Sequence, residues 1–311
     1  MNIVFFATSD FAIPALEKLT GSGHKVLAVV TQPDRPAGRG QQLQASPVKQ
    51  LALEKKLFLY QPESCNEYEF LRELRALSPD VIMVVAYGQK LGNEILQLPR
   101  YHCLNIHPSL LPRHRGAEPV ARAIMNGEAF TGVCIVKVVE KMDAGPVLGL
   151  TRVPVPPDIT TPEMEMQLAQ VGADLLLEVL AAVQERRAVE VPQDEREASY
   201  AKRFEKQDGR IDWRKPSAKI HNFVRALIPY PCAFTFLGRQ RITIRKVVAS
   251  RYPQKPGHKP GTVLAVEKDH FKVATADGDV SIFELQPENK RRMSAADFLN
   301  GAQLKPGSLF S

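Results

Sequence analysis

The chain predicts a two-part α/β protein: a doubly wound, mostly parallel, Rossmann-like sheet followed by a small OB-like β-barrel. Two observations carry the first part. Continuous apolar runs such as Val26-Leu27-Ala28-Val29-Val30 suit strands buried on both faces, and they alternate with helical patterns through residues 1–189. A third carries the second part. From residue 208 the pattern changes to short alternating segments separated by Gly and Asp turns. The expected organisation is an α/β domain over 1–189, a charged, proline-punctuated linker over 190–207 and a barrel over 208–311.

Taken in order, Ile3–Ala7 is a short apolar strand, and Phe11–Leu19 has helical spacing with Pro14 early in it. Lys25–Thr31 is the next strand. Gln32–Ser46 is too rich in Pro, Gly, Arg and Gln for either element and reads as a long loop, a feature often functional in compact domains. Pro47–Lys56 is helical, Leu57–Tyr60 a short strand and Glu67–Leu77 an amphipathic helix; Asp80–Ala86 and Leu104–His107 are further strands. Ala117–Asn126 is a helix with Pro119 in its first turn, where a missing N–H costs little. Gly132–Val139 is a late strand and Arg152–Pro157 is extended. Thr161–Glu185 is a long helix with Leu168, Leu175 and Leu176 on one face. Beyond 208, a helix over Lys219–Arg225 precedes five short strands: Ala233–Leu237, Arg241–Val248, Gly261–Glu267, Phe271–Thr275 and Val280–Leu285.

Charge is divided unevenly. The net charge is +7, yet residues 208–311 hold 18 Lys and Arg against 9 Asp and Glu, so the excess belongs to the C-terminal third. A basic module beside a nearly neutral one suits a polyanion such as nucleic acid. Cys65, Cys103, Cys134 and Cys232 show no Cys-x-x-Cys spacing, which argues against a zinc site or a disulfide framework and fits a reducing cytoplasm. The opening Met-Asn-Ile-Val-Phe-Phe-Ala lacks the basic flank of a signal peptide, and no apolar run approaches the roughly 20 residues of a membrane span. The expectation is a cytoplasmic monomer with no metal and no membrane partner. No G-x-G-x-x-G follows the first strand, which weighs against a nicotinamide dinucleotide site.

The candidate working centre is Cys103-Leu104-Asn105-Ile106-His107-Pro108-Ser109-Leu110-Leu111-Pro112-Arg113-His114-Arg115-Gly116. Asn105 and His107 stand two apart, so a terminating strand points both side chains to one face. Pro108 and Pro112 bracket a stiff segment unable to pair as a central strand. Asp143 lies in the turn-forming stretch Lys141-Met142-Asp143-Ala144-Gly145-Pro146. An amide, an imidazole and a carboxylate on strand-end loops can form a proton-transfer site. Taken singly, each has a structural reading: a hydrogen-bonded histidine, a turn aspartate. Ser9, Tyr87 and His107 all fall at predicted strand ends, where a doubly wound sheet binds ligands.

The string Asn-x-His-Pro-Ser-Leu-Leu-Pro with the following Arg-x-Arg-Gly resembles the folate-dependent formyltransferases. So do Thr31-Gln32-Pro33-Asp34-Arg35-Pro36-Ala37-Gly38-Arg39-Gly40, Gln61-Pro62, Asp208-Gly209-Arg210-Ile211-Asp212-Trp213 and Gln286-Pro287. The resemblance runs nearly end to end and is strongest to members that act on initiator methionyl-tRNA. It implies 10-formyltetrahydrofolate as donor and the methionyl amine as acceptor. Asn105 and His107 would donate hydrogen bonds to the developing oxyanion, while Asp143 would orient His107 and help receive a proton. Ser109, Leu110, Leu111 and Pro112 would line the folate pocket, with backbone around Val84 to Tyr87 and the Asp143 loop. Arg35 and Arg39 would grip the acceptor end of the tRNA, and Lys202, Arg203 and Lys206 form a further basic group. Three departures stand out: Ala7 replaces a usual glycine, Gln41-Gln42 replace basic residues, and Arg203 replaces a lysine.

Other readings remain open on the residues alone. A formyltransferase acting on a nucleotide sugar or purine precursor would share the triad but need no basic barrel. A tRNA-binding protein without catalysis would need the barrel and not the triad. A hydrolase releasing formate from the folate would leave the barrel unexplained.

Overall fold

The computed structural model describes residues 1–37, 42–250 and 257–311. They form two compact units. The first comprises Met1–Pro119, Phe130–Pro154 and Glu165–Ala201; the second comprises Val120–Ala129, Val155–Met164 and Lys202–Ser311.

The first unit is built on a seven-stranded sheet in the order Val147–Pro154, Phe130–Lys137, His102–His107, Val81–Val85, Asn2–Ala7, Lys25–Val30 and Leu59–Tyr60. Five neighbouring strands run parallel, and Phe130–Lys137 and Val147–Pro154 close one edge antiparallel. The central strands Asn2–Ala7 and Val81–Val85 are buried almost throughout, as their unbroken apolar sequences require. Strand order reverses direction at Asn2–Ala7, so the ends of that strand, of Val81–Val85 and of His102–His107 open onto a topological switch point. Ala7 is wholly buried inside the first strand, in a place that asks nothing of a glycine's freedom.

Two stretches fold differently from the sequence-based reading. Gln32–Ser46 is not simply a loop: Arg35–Ala37 and Gln42–Gln44 pair antiparallel, Arg35 opposite Gln44 and Pro36 opposite Leu43. A two-stranded ribbon leaves one side of each strand unpaired, so the missing N–H of Pro36 is tolerated. Residues 190–201, expected as connecting chain, carry paired backbone. Val191 bridges Val147, and Tyr200–Ala201 runs parallel to Arg115–Gly116. The second stretch proves central to the site.

Thr161–Gln184 is, by length and composition only, apolar enough to cross a membrane, with a mean hydropathy of 1.5 in its most apolar window. Half of that window is buried within the protein, including Leu168, Leu176 and Leu180 at 0% exposure. That is the pattern of a core helix.

The second unit holds an antiparallel sheet in the order Phe234–Leu237, Gln240–Ala249, Asp279–Pro287, Phe271–Ala274 and Val263–Val266, with Met293–Ser294 paired to Asp279–Pro287. The C-terminal backbone reaches both edges, Phe310 bridging Leu237 and Leu309 bridging Thr262, so the sheet curls toward a barrel. Gly261 is required there. It has φ +91°, and a Cβ would stand 2.3 Å from the Phe310 carbonyl oxygen. Inside, Trp213, Phe271 and Phe310 pack with Ile242, Ile244 and Ile282. The Trp213 indole donates to Thr235 at 3.0 Å, satisfying a buried polar group. Segment Val155–Met164 is tied into this unit by the Arg225 guanidinium, which donates to the Pro156 and Ile159 carbonyls, and by the Thr161 hydroxyl on Ala226. Helix Pro119–Asn126 joins it through Ala121, packed with Phe204 and Leu227.

Candidate active site

His107 is the last residue of its strand, and Pro108 ends the pairing. Period-two alternation puts Asn105 and His107 on one face, where both meet Asp143. Asn105 Nδ2 donates to Asp143 Oδ1 at 3.4 Å, and His107 Nδ1 lies 3.6 Å from Asp143 Oδ2. The Gly116 N–H donates to the same Oδ2 at 2.9 Å. His107 is 4% exposed, and its Nε2 faces the His114 carbonyl at 3.0 Å. A carbonyl only accepts, so Nε2 carries a proton and Nδ1 is the nitrogen left for exchange. The sequence-predicted trio is therefore brought together around one carboxylate.

Asp143 occupies the left-handed region, with φ +52°. The loop around it is tight: a Cβ on Gly145 would stand 1.9 Å from the Lys137 carbonyl oxygen. Gly116, at φ +116°, sits against the Ala201 carbonyl, where a Cβ would come within 2.9 Å. Both glycines allow backbone to approach backbone on either side of the carboxylate.

The predicted folate residues divide. Ser109 is fully buried and spends its hydroxyl on the Arg113 carbonyl at 2.7 Å, shaping the turn. Leu110 lies over Gly132, while Leu111 packs on Cys134, Val136 and Val147. Leu111 and Pro112 also wall a cavity of about 350 Å³ with Val147, Gly149 and Val191; none of Asn105, His107 and Asp143 lines it. Val84 is paired with Asn105 across the sheet, one strand from the trio. Tyr87, expected to contribute main chain, turns its side chain into the core. The ring is 2% exposed and stacks edge-on against Phe6 at 5.1 Å, and burial raises the phenol well above its ordinary range. Its carbonyl is taken by Thr8 and Gln32. The aromatic ring is a core residue.

Among the predicted tRNA residues, Arg35 is exposed and paired with Glu63 at 2.6 Å, while Arg39 and Gln41 lie outside the described residues. Lys202, Arg203 and Lys206 are exposed in the second unit. In the same unit two arginines stand against aromatic rings. Arg241 lies over the Phe234 ring at 3.9 Å and Arg210 over Phe236 at 5.7 Å. The alternation Arg241-Ile242-Thr243 puts Arg241 on the face opposite the core.

Reading the sequence alone put Arg115 in the central motif without a role and missed Gln193. Arg115 is 0% exposed; it holds Gln193 Oε1 through Nε and Nη2 at 3.1 and 2.8 Å, and Glu195 at 2.9 Å. Hydrogen bonds from Arg115 and then Lys141 hold the Glu195 carboxyl down to about 2. All four cysteines are buried, and burial pushes the Cys103 and Cys134 thiols up to about 12, so neither is a nucleophile. Among the described residues no group of His, Cys, Asp or Glu is placed to hold a metal ion.

Burial, with repulsion from Glu118, raises the Glu165 carboxyl to about 7. The folded chain thus holds a proton there that the unfolded chain releases, so stability falls as pH rises from about 4.5 through 7. Glu165→Gln should raise the melting temperature at pH 8 and leave it unchanged at pH 4, as thermal melts across pH will show. An equal gain at both pH values would contradict this assignment.

Comparison with known proteins adds sequence and fold likeness. Residues 1–180 match the family described as "Formyl transferase", and residues 203–303 match "Formyl transferase, C-terminal domain". A methionyl-tRNA formyltransferase of Symbiobacterium thermophilum is 43% identical over 100% of this chain and 95% of its own. One from Methylococcus capsulatus is 44% identical over 98% of each. In fold, a sugar 3N-formyl transferase crystallised in the presence of dTDP and 5-N-formyl-THF is similar, with a TM-score of 0.69 at 17% identity. The match covers 94% of this chain and 99% of that one.

Proposed function

The chain belongs to the formyl transferase family, and we infer that it transfers the formyl group of 10-formyltetrahydrofolate to the amino group of initiator methionyl-tRNA. The product is N-formylmethionyl-tRNA for translation initiation. The observation that carries the chemistry is the convergence of Asn105, His107 and the Gly116 N–H on Asp143 at the carboxyl ends of the sheet. The acceptor is carried by full-length relatives that bear that name.

In the reaction the methionyl nitrogen attacks the formyl carbon, the carbonyl oxygen gains negative charge, and the bond to the folate nitrogen breaks as that nitrogen gains a proton. Asn105 has two amide hydrogens and spends one on Asp143, so the second is the donor for the oxyanion. His107 is held by the His114 carbonyl, with Nδ1 at ion-pair distance from Asp143 and no closer. That nitrogen can take the proton from the attacking amine and return it to the leaving one, while Asp143 balances the imidazolium. Leu110, Leu111 and Pro112 hold the folate on a turn shaped by buried Ser109, joined by main chain near Val84 and Tyr87. No step needs a metal. The enzyme's substrates belong to translation, so the cytoplasm is the compartment this reading gives it. Residues 1–189 supply the chemistry, and the unit containing 208–311 grips the tRNA together with Arg35 and Arg39.

Labelled formyl transfer tests this directly. The label should pass from 10-formyltetrahydrofolate to methionyl-tRNA and to neither uncharged tRNA nor free methionine; label on free methionine, or none anywhere, would refute it. The basic group is tested by replacing Lys202, Arg203 and Lys206 together with alanine. Each lost phosphate contact removes about 0.7–0.9 from the slope of log K against log salt, so the triple variant should lose roughly 2 to 3. The KM for folate should stay as it was. An unchanged slope would remove these residues from the tRNA interface.

A further inference from the structure

With formyl transfer as read above for its premise, the geometry points to a residue that the reading does not use. We propose that Gln193 is the positioning residue for Asp143. Its amide orientation is unambiguous. Oε1 accepts from Arg115, which can only donate, and Nε2 donates to the Asp143 and Gly145 carbonyls at 2.7 Å each, which can only accept. Arg115 is itself locked by burial and by Glu195, and Lys141 reaches the same Glu195 at 2.6 Å. The turn 141–145 is thus fastened at its start through Glu195 and at its middle and end through Gln193.

Between those fastenings Asp143 adopts its left-handed conformation, which is unfavourable for a residue other than glycine. That conformation aims the carboxylate at Asn105, His107 and the Gly116 N–H. Arg115 adjoins Gly116, so a single buried guanidinium braces both the loop that presents the carboxylate and the backbone donor that receives it. Without the two bonds from Gln193 the turn can relax toward ordinary φ and swing the carboxylate away. Gln193 touches neither reacting atom; it acts through Asp143.

The test is a double-mutant cycle on the full chain. Gln193→Met keeps length and removes both hydrogen-bonding groups. Gln193→Glu keeps shape and sets a carboxylate oxygen against two carbonyls. Each alone should lower kcat by about 10–100-fold, the cost of misplacing a catalytic group by less than an ångström or so. KM for folate and for methionyl-tRNA should stay within about threefold. Combined with Asp143→Ala, either change should cost less than about twofold more, because nothing remains to be positioned. Amide exchange of Gly116, measured by NMR, should quicken in both single variants, whether or not the protein transfers formyl groups. Additive losses in the cycle, a loss confined to KM, or unchanged Gly116 exchange would each overturn the proposal. A wild-type chain that fails to formylate methionyl-tRNA would instead refute the functional reading and leave the exchange measurement to judge Gln193.

Discussion

His107→Ala is expected to lower kcat for formyl transfer by roughly 10²–10⁴-fold, the range for losing a positioned acid–base group. Asn105→Ala and Asp143→Ala should each cost at least about 10²-fold, the former as a lost oxyanion donor. The three should keep the fold. Asn105 and Asp143 are only partly buried, and His107 gives up one hydrogen bond to the His114 carbonyl, a net loss of about 0.5–1.5 kcal/mol. Turnover and circular dichroism melts on the same preparations decide the matter. Native melts with kcat within about tenfold of wild type for all three would show that the chemistry lies elsewhere.

The second large effect comes from a residue with no side chain. Gly145→Ala should lower kcat by about 10²-fold or more, as displacing a catalytic group by an ångström can do. The new methyl cannot share space with the Lys137 carbonyl, 1.9 Å away, and that carbonyl belongs to a strand whose Lys137 N–H is already bonded to Pro146. The turn must move, and Asp143 moves with it. Overpacking of this kind also costs typically about 1–3 kcal/mol of stability. Gly23→Ala is the control, since nothing lies within 4 Å of a Cβ there. Equal activity in the two variants would show that the turn tolerates displacement.

What the sequence disclosed follows from how local each cause is. Val26 to Val30 was legible as a strand because burial on both faces leaves an apolar run behind, and Asn105-x-His107 was legible because a strand's period and Pro108 fix two side chains on one face. The ribbon at Arg35–Ala37 was not, since its pairing is main chain and its composition is that of a loop. Helix Ala295–Gly301 went unread although its signal was present: Ser294 accepts from the Asp297 N–H, a capping pattern visible as Ser-x-x-Asp. Tyr87 was placed at a strand end correctly, but which way a ring turns depends on Phe6, far away in sequence. Gln193 had no local mark at all. It sits in a polar run that looks like connecting chain, and its meaning comes from Arg115, 78 positions earlier.

The interleaving of the two units has a consequence for synthesis. Val120–Ala129 and Val155–Met164 leave the ribosome well before Phe204, Arg225 and Leu227, the residues that bury them. At about 5–20 residues per second, the earlier segment waits on the order of 5–20 seconds for its partners. During that interval the nascent first unit carries two unburied excursions, so chaperone capture should peak on chains stalled between them and residue 202. A circular permutant that begins at Phe130 would place Val120–Ala129 after its partners and remove that segment's wait.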